Sequence, residues 1–357
     1  MSNHHGSITH EGEQYPSPPR ELEYLAVATP EPGHAVPIAD GLLWARIPLP
    51  MELAHINVWL MEDEQGWTLV DTGMAADPCR DAWASLESAV VGQRGLKRIF
   101  VTHDHPDHMG LARWLQQRHG AEVWMSSVAH ASVVDYLDAD PGQVRDRMHA
   151  FMVLHGLEAG EPPSRLPAQS HDSWFDGAPT LSATPVDGDR LEVRDREWGV
   201  VETGGHCRGH LCLHDSTGGL LISGDQVLPS ISPNVSVLSS RPDADPLREF
   251  LASLERLEQC PAGTLVLPSH GRPFRGLHRR IADLRAHHLQ QLASLREACA
   301  GPRTAFELLP VMFGRPLRGF HRMLAMGEAV AHLNYLRADG LLACEVGGDG
   351  VARFVAA

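Results

Sequence analysis

The sequence is poor in several features that would mark particular protein classes. It holds a single lysine, Lys97, and its 45 acidic residues outnumber the 30 basic ones, which gives a formal charge of −15. Such an acidic chain disfavours a polyanionic partner, so we do not expect nucleic acid to bind. No run of 18 apolar residues occurs in the sequence, so we expect no membrane span and no membrane partner.

Cysteine pairs and a secretion signal are also missing. The six cysteines are scattered, with no CxxC pair and no spacing typical of a disulfide framework. This pattern favours a reducing compartment. The first twenty residues are polar and proline-rich, without the basic and apolar regions of a signal peptide. We therefore expect a cytoplasmic protein with a flexible N-terminal segment over residues 1–35.

From about Leu42 onward, apolar runs alternate with helix-like segments. The runs LLWARIPLP, INVWLMED, WTLVDTGM and KRIFVTH are typical of strands. Helical periodicity is predicted over about 77–91, 246–259 and 276–300. Alternation of this kind indicates an α/β layered domain, which we place at residues 36–300, before the Gly301–Pro302 break.

Two segments depart from this alternation. A helical insertion around 128–174 carries Met148, Phe151 and Met152 on its second helix and ends in a proline-rich loop. It is interpreted either as a surface helix packed on the core or as the wall of a substrate pocket. Residues 301–357 contain short helices and a β-pair around GGDG, which is the outline of a winged-helix-like domain.

The stretch FVTHDHPDHMG, residues 100–110, concentrates metal-binding side chains where a strand passes into a helix. His103 and His105 are two residues apart and should face the same side. Asp107 and His108, at the turn into the helix, can reach a second point a few ångströms away. Imidazole and carboxylate suit a borderline divalent ion such as zinc, so this stretch predicts a metal site.

HDHPDH resembles the HxHxDH signature of the metallo-β-lactamase superfamily. Further motifs of that family follow in order: LVDTGM with Asp71, TGGHCRGH with His206, LLISGDQV with Asp225 and LVLPSHG with His270. The resemblance spans roughly residues 42–290. It implies an αββα four-layer sandwich and a hydrolase with two metal ions, expected to be Zn²⁺, with iron and manganese as the alternatives.

The resemblance also implies a role for each residue of the site. One ion would be held by His103, His105 and His206, and the other by Asp107, His108 and His270, with Asp225 and a hydroxide bridging the two ions. Asp107 is expected to steer protons as well, and Asp71 and Thr102 to fix the histidines. His210 is a second candidate catalytic residue that would orient a substrate or a ligand, although a purely structural histidine is the alternative. Departures from the family pattern at four positions remove no ligand: Gly204, Cys207, Gln226 and Ser269.

Two functions fit these observations. The first is hydrolysis of a small ester, thioester or lactone, which makes a small acyl compound the expected partner. The alternative is an endoribonuclease or phosphodiesterase that uses the winged-helix-like domain on nucleic acid. Basic and acidic residues of that domain nearly balance, whereas nucleic-acid binding rewards a clustered basic face. The balance favours packing of the domain on the catalytic domain, or a homodimer contact.

Overall fold

The computed structural model describes residues 22–158, 160 and 174–357. A first sheet has six strands in the order β2-β3-β4-β5-β6-β7. Its strands begin and end as follows: β2 Ala35–Ala39, β3 Leu42–Pro48, β4 His55–Asp63, β5 Gly66–Val70, β6 Leu96–Phe100 and β7 Glu122–Trp124. Strands β5, β6 and β7 are parallel to one another, so their carboxyl ends lie at one edge.

A second sheet has seven strands in the order β1-β13-β12-β11-β10-β9-β8. Its strands are β1 Glu23–Tyr24, β8 Arg190–Val193, β9 Arg196–Thr203, β10 His210–Asp215, β11 Leu220–Gly224, β12 Leu265–Pro268 and β13 Phe274–Arg275. β10 and β11 form an antiparallel pair on either side of the STGG turn. β11 and β12 are parallel, which places their carboxyl ends side by side.

Helices cover the outer face of each sheet. They are α1 Asp77–Leu86, α2 Pro106–Met109, α3 Ala112–His119, α4 Ser127–Asp138, α5 Pro141–Leu154, α6 Pro246–Leu257, α7 Leu277–Ala298, α8 Ala305–Phe313 and α9 Gly319–Ala338. A π-helical turn, Glu87–Val91, extends α1 to the end of the helical segment that the sequence predicts. The helices predicted over about 246–259 and 276–300 correspond to α6 and α7.

Three apolar cores separate the four layers. The core between the sheets contains Trp44 and Trp59, which stack with ring centroids 6.3 Å apart, together with Phe100 and Trp198. A second core lies between the first sheet and helices α1, α3 and α4, and a third lies between the second sheet and helices α6–α9. The predicted αββα sandwich is therefore confirmed.

The two helices of the insertion predicted around 128–174 pack in different cores. Helix α4 packs in the core under the first sheet, whereas Phe151 and Met152 of α5 are buried in the third core with the C-terminal helices. The backbone N–H of Phe306 donates to His155 O at 3.0 Å, just after α5 ends. Of the two interpretations of the insertion, packing on the core therefore holds for α5. Most of the predicted proline-rich loop, residues 161–173, lies outside the described residues.

The C-terminal residues form α8, α9 and an antiparallel hairpin of β14 Leu342–Val346 and β15 Ala352–Ala356. Helix α9 has 20 residues and is longer than the short helices expected from the sequence. A winged-helix assignment stays a prediction. At the other end, residues Glu23–Tyr24 pair with β13, so this part of the segment expected to be flexible is an edge strand, held by backbone hydrogen bonds.

The sequence led us to expect neither a disulfide framework nor a membrane-spanning helix. All six cysteines are free thiols in the structure. Within the described ranges, no helix is both long enough and apolar enough to cross a membrane.

Candidate metal centre

The predicted ligands meet at one edge of the sandwich because several strands end there. His103 and His105 follow β6, His206 follows β9, and Asp225 and His270 follow the parallel strands β11 and β12. Helix α2 begins at Pro106, a residue suited to a first helical position, and its first turn carries Asp107 and His108. Chain segments far apart in the sequence thus contribute to one site.

The side chains form two neighbouring groups. The three-histidine group, His103, His105 and His206, lies together with Asp225, and the Asp–His–His group contains Asp107, His108 and His270. Within each set the potential ligand atoms lie within 4.8 Å of one another. The structure therefore brings together every residue predicted as a ligand, divided into the same two groups.

Asp225 lies between the two groups with one oxygen toward each. Its Oδ2 atom is 3.5 Å from Nε2 of His206, while its Oδ1 atom is 3.5 Å from Nε2 of both His108 and His270. The Asp107 Oδ2 atom is 3.3 Å from Nε2 of His270. In a tetrahedral shell with bonds of about 2.0–2.1 Å, neighbouring ligands are about 3.3–3.4 Å apart. The observed separations fit that shell.

Hydrogen bonds fix the tautomers of two of the histidines. The Asp71 carboxylate accepts from the backbone N–H and the hydroxyl of Thr102, and from His108 Nδ1 at 2.8 Å. Because the Thr102 hydroxyl donates to Asp71, its oxygen accepts from His103 Nδ1 at 3.0 Å. Both rings therefore present Nε2 to the site. Asp71 accepts these hydrogen bonds with a backbone φ of 61°, an unusual conformation for a residue other than glycine.

Two further histidines are fixed by backbone carbonyls that sequence patterns did not reveal. His206 Nδ1 donates to Asn234 O, and His270 Nδ1 donates to His55 O, each at 2.8 Å. The ring of His55 also accepts from the Gly271 N–H at 3.2 Å. No motif marks Asn234 or His55, since a carbonyl acts through its position and not through its residue type.

Several of these atoms are buried and unsatisfied. Nε2 of His108, His206 and His270 and Oδ1 of Asp225 have no hydrogen-bond partner within the described part of the chain. Buried polar atoms are normally paired, so a converging set of unpaired ones requires an explanation. Cations held between them would satisfy all four atoms. The residues present therefore fit a pair of metal ions.

The charges of the site also favour cations. Burial, followed by the neighbouring His108, holds the pKa of His103 well below its ordinary value, and burial with His105 lowers that of His206 to about 4. Burial alone would raise the pKa of Asp225, but His270 and His108 hold it well below the usual range. Neutral imidazoles and an ionised carboxylate are the protonation states that bind metal.

His108 and Asp107 are strongly coupled through their charges. Burial acts to lower the pKa of His108, yet Asp107 and Asp71 raise it well above its ordinary value. Burial acts to raise the pKa of Asp107, yet His108 and His270 lower it to about 2. Before metal binds, this group therefore favours a protonated imidazole beside a carboxylate. A bound cation would take the place of that proton.

His210 does not face the site in the way expected of a residue that contacts substrate. Its ring is completely buried, with Nδ1 2.8 Å from the Thr203 hydroxyl. Its Nε2 accepts from the backbone N–H of Asp225 at 3.1 Å. With both nitrogens engaged, His210 cannot exchange a proton with a substrate without breaking these bonds. Of the roles expected from the sequence, this geometry fits the orientation of a ligand, Asp225, and not contact with a substrate.

Asp104, between the two histidines of the motif, belongs to neither ligand group. Its carboxyl group lies beside the side chains of Cys207 and Ser132, and burial raises its pKa. Cys207 follows the ligand His206, and burial, followed by the charge of Asp104, raises the pKa of its thiol well above the ordinary value. These two side chains therefore lie beside each other and outside both ligand groups.

Comparison with known families agrees with this geometry. Residues 52–270 match the model described as the metallo-beta-lactamase superfamily. Residues 292–357 match the model described as the metallo-beta-lactamase-like, C-terminal domain. The first match contains every predicted ligand, and the second contains α8, α9 and the C-terminal hairpin.

Curated relatives include two kinds of hydrolase. An acyl-coenzyme A thioesterase, MBLAC2 of Gallus gallus, is 26% identical over 246 residues, covering 67% of this chain and 80% of that protein. A probable metallo-hydrolase, YflN of Bacillus subtilis, is 26% identical over 245 residues, covering 65% of this chain and 86% of that protein.

Solved structures extend the similarity to nearly the whole chain. A beta-lactamase domain protein from Burkholderia ambifaria is 39% identical with a TM-score of 0.85, covering 94% of this chain and 97% of that one. A metallo-beta-lactamase family protein from Thermus thermophilus is 28% identical with a TM-score of 0.75, covering 89% and 99%. The chain therefore belongs to the metallo-beta-lactamase superfamily and is a metal-dependent hydrolase.

Proposed function

We propose that this hydrolase cleaves a small acyl thioester, ester or lactone, with a thioester as the best candidate, at a site that holds two metal ions. The observation that carries the proposal is the position of Asp225, whose two carboxylate oxygens face the three-histidine group and the Asp–His–His group. A single ion would leave one group of buried nitrogens unsatisfied. Two ions would use both groups.

Zinc is the metal we propose, two ions per chain. Its preference for tetrahedral shells of nitrogen and oxygen ligands matches the separations of 3.3–3.5 Å between ligand atoms. Iron and manganese accept the same ligand types, so metal analysis of the purified protein is needed to distinguish them. When bound, such an ion pair supplies a water molecule of lowered pKa and polarises the carbonyl oxygen of the substrate.

The protein's own part in the reaction falls to Asp107. Its Oδ2 atom lies 3.3 Å from Nε2 of His270, and the residue is 8% exposed among the ligands. Its lowered pKa keeps it ionised at neutral pH, so a carboxylate oxygen can accept a hydrogen bond from the attacking water. We propose that Asp107 steers the proton of the attacking water towards the leaving group through this hydrogen bond, while Asp71 and Thr102 hold the rings of His108 and His103.

Support for a thioester comes from the relatives and not from the insertion. MBLAC2, similar over two thirds of this chain, is an acyl-coenzyme A thioesterase. The sequence suggested an apolar pocket wall on α5, but its side chains Phe151 and Met152 are buried in the core beside the C-terminal helices. An acyl chain would therefore have to contact other residues near the metal centre.

A substrate panel with one common acyl chain tests the proposal. Hexanoyl-coenzyme A, p-nitrophenyl hexanoate, N-hexanoyl homoserine lactone and bis(p-nitrophenyl) phosphate are compared by kcat/KM on zinc-loaded protein. We expect the thioester to be the best substrate and a chelator to abolish its turnover. The strongest activity on the phosphodiester would overturn the proposal in favour of the nuclease alternative.

For the C-terminal domain we propose a winged-helix-like unit that packs on the catalytic domain and does not bind nucleic acid. Helices α8 and α9 followed by a hairpin support the first part. The burial of Leu308, Met326 and Leu333 in one core with residues of α6 and α7 supports the second part, because it uses the domain's apolar face internally. A salt-dependent gel shift with mixed-sequence RNA would contradict it. Light scattering tests a homodimer, which stays a prediction.

A further inference from the structure

The segment 228–237, which follows Asp225, has no regular secondary structure but is held firmly by α7. The buried side chain of Arg280 donates from Nε to Leu228 O at 2.6 Å and from Nη2 to Ile231 O at 2.8 Å. A guanidinium with two carbonyl partners fixes the start of the segment to the helix.

Helix α9 holds the other end of the same segment. Asn234 Nδ2 donates to Glu328 Oε2 at 3.2 Å, and the backbone N–H of Val237 donates to Gly327 O at 3.0 Å. A Cβ atom at position 327 would come within 2.9 Å of both Ser236 Cβ and Val237 O. Glycine is therefore required for helix and segment to approach this closely.

A chain of buried imidazoles joins the two helices behind the segment. His332 Nδ1 donates to Glu328 O at 2.8 Å, so its Nε2 is the acceptor for His288 Nδ1 at 3.1 Å. Nε2 of His288 must then accept, and the Ser232 hydroxyl lies 3.3 Å from it. Both rings are fully buried. Their tautomers are fixed by this order, which makes the connection directional.

These contacts converge on one metal ligand. Asn234, which Glu328 holds by its side chain, accepts from His206 Nδ1 through its carbonyl oxygen. That hydrogen bond sets both the tautomer of His206 and the direction of its Nε2. Among the described residues, α9 makes no hydrogen bond that holds His108 or His270 in this way.

We propose that Asn234 and Glu328 are positioning residues through which α9 controls metal binding by the three-histidine group alone. The inference rests on the proposed two-metal function and deepens it. It makes the C-terminal domain part of one half of the metal centre, since the helix that holds Asn234 in place belongs to that domain. The Asp–His–His group should be independent of it.

The test measures zinc affinity of each group separately with a competing chelator. In a His270→Ala background the remaining tight site is the three-histidine group, and in a His206→Ala background it is the Asp–His–His group. We expect Glu328→Ala to weaken zinc binding about 10–100-fold in the first background and to leave it unchanged in the second. Glu328→Gln, whose amide oxygen can still accept from Asn234, should restore most of the affinity.

Asn334→Ala is the matched control. Asn334 is a buried asparagine of α9 whose Nδ2 donates to Pro242 O and Ala244 O at 2.9 Å, carbonyls that touch no ligand. It should lower stability without changing zinc affinity. Equal weakening of both groups, or no weakening in a folded variant, would overturn the inference. If Glu328→Ala does not fold, Asn234→Ala removes the same hydrogen bond together with the one that Asn234 accepts from the Ser236 hydroxyl. Failure of the unmutated protein to bind two ions would instead refute the proposed function.

Discussion

Oδ2 of Asp107 lies 3.3 Å from Nε2 of His270, although Asp107 follows a strand of the first sheet and His270 a strand of the second. The Asp–His–His group therefore forms only when the two halves of the sandwich pack together. Asp225, from the second sheet, joins both groups in the same way. Metal binding at this seam should stabilise the folded protein as a whole.

The Asp107 carboxylate should be required for turnover. Asp107→Asn preserves size but removes both the charge and the proton acceptor, so we expect kcat to fall by about 10²–10⁴-fold. Asp104→Asn is the same change three residues earlier, at a carboxyl that lies beside Cys207 and outside both ligand groups. It should leave kcat close to the unmutated value. Steady-state kinetics on both zinc-loaded variants would contradict the assignment if their effects were reversed.

Elemental analysis should find about two transition-metal ions per chain, because two complete ligand groups are present. Asp225→Ala removes the carboxylate between the groups and should lower the occupancy of both. His270→Ala removes a ligand from one group and should release mainly one ion. A single ion in the unmutated protein, or loss of both ions from His270→Ala, would refute the two-metal arrangement.

The sequence was sufficient to predict the layers and the ligands. Strand and helix periodicity predicted an α/β layered domain, and the resemblance to the metallo-β-lactamase superfamily, carried by five motifs, implied the αββα order and both ligand groups. The predictions of the ligands succeeded because a ligand must be a particular residue type at a particular point of the chain. Replacing His103 or Asp225 would remove the ligand atom or change its charge or position.

What the sequence did not predict depends on packing between distant segments. The carbonyls of Asn234 and His55 orient His206 and His270, yet their positions follow from how segment 228–237 and β4 are held, and no residue pattern encodes this. His210 is similar, since the sequence left orientation of a substrate, orientation of a ligand and a structural role open, and only the structure shows a ring with both nitrogens engaged. Periodicity also could not decide which core α5 joins.

The burial of Phe151 makes a prediction that separates the two interpretations of the insertion. Its side chain is 6% exposed in the core shared with the C-terminal helices. Phe151→Ala should therefore lower the free energy of unfolding by about 3–5 kcal/mol, with KM for an acyl substrate unchanged. Leu289→Ala, at a side chain 58% exposed on α7, is the control and should change neither. A raised KM with unaltered stability would instead place Phe151 at a pocket.

The buried imidazoles of His288 and His332 should make the protein sensitive to acid. Burial, followed by the other ring, lowers the pKa of His288 to about 2, and burial lowers that of His332 to about 4. In the unfolded chain both rings have a pKa of about 6.5. As the pH falls below that value, the unfolded chain takes up protons that the folded chain does not, so stability falls by up to about 1.4 kcal/mol per pH unit for each proton.

His332→Gln keeps a polar side chain but removes one of these protonations. Urea unfolding of the zinc-loaded protein between pH 7 and pH 5 should therefore show a smaller loss of stability in the variant than in the unmutated protein. Zinc is kept saturating for both proteins, so that the metal ligands stay bound and their contribution cancels in the difference; neither His288 nor His332 is itself hydrogen-bonded to a ligand. An equal loss of stability in the two proteins would show that His332 is not buried in its neutral form.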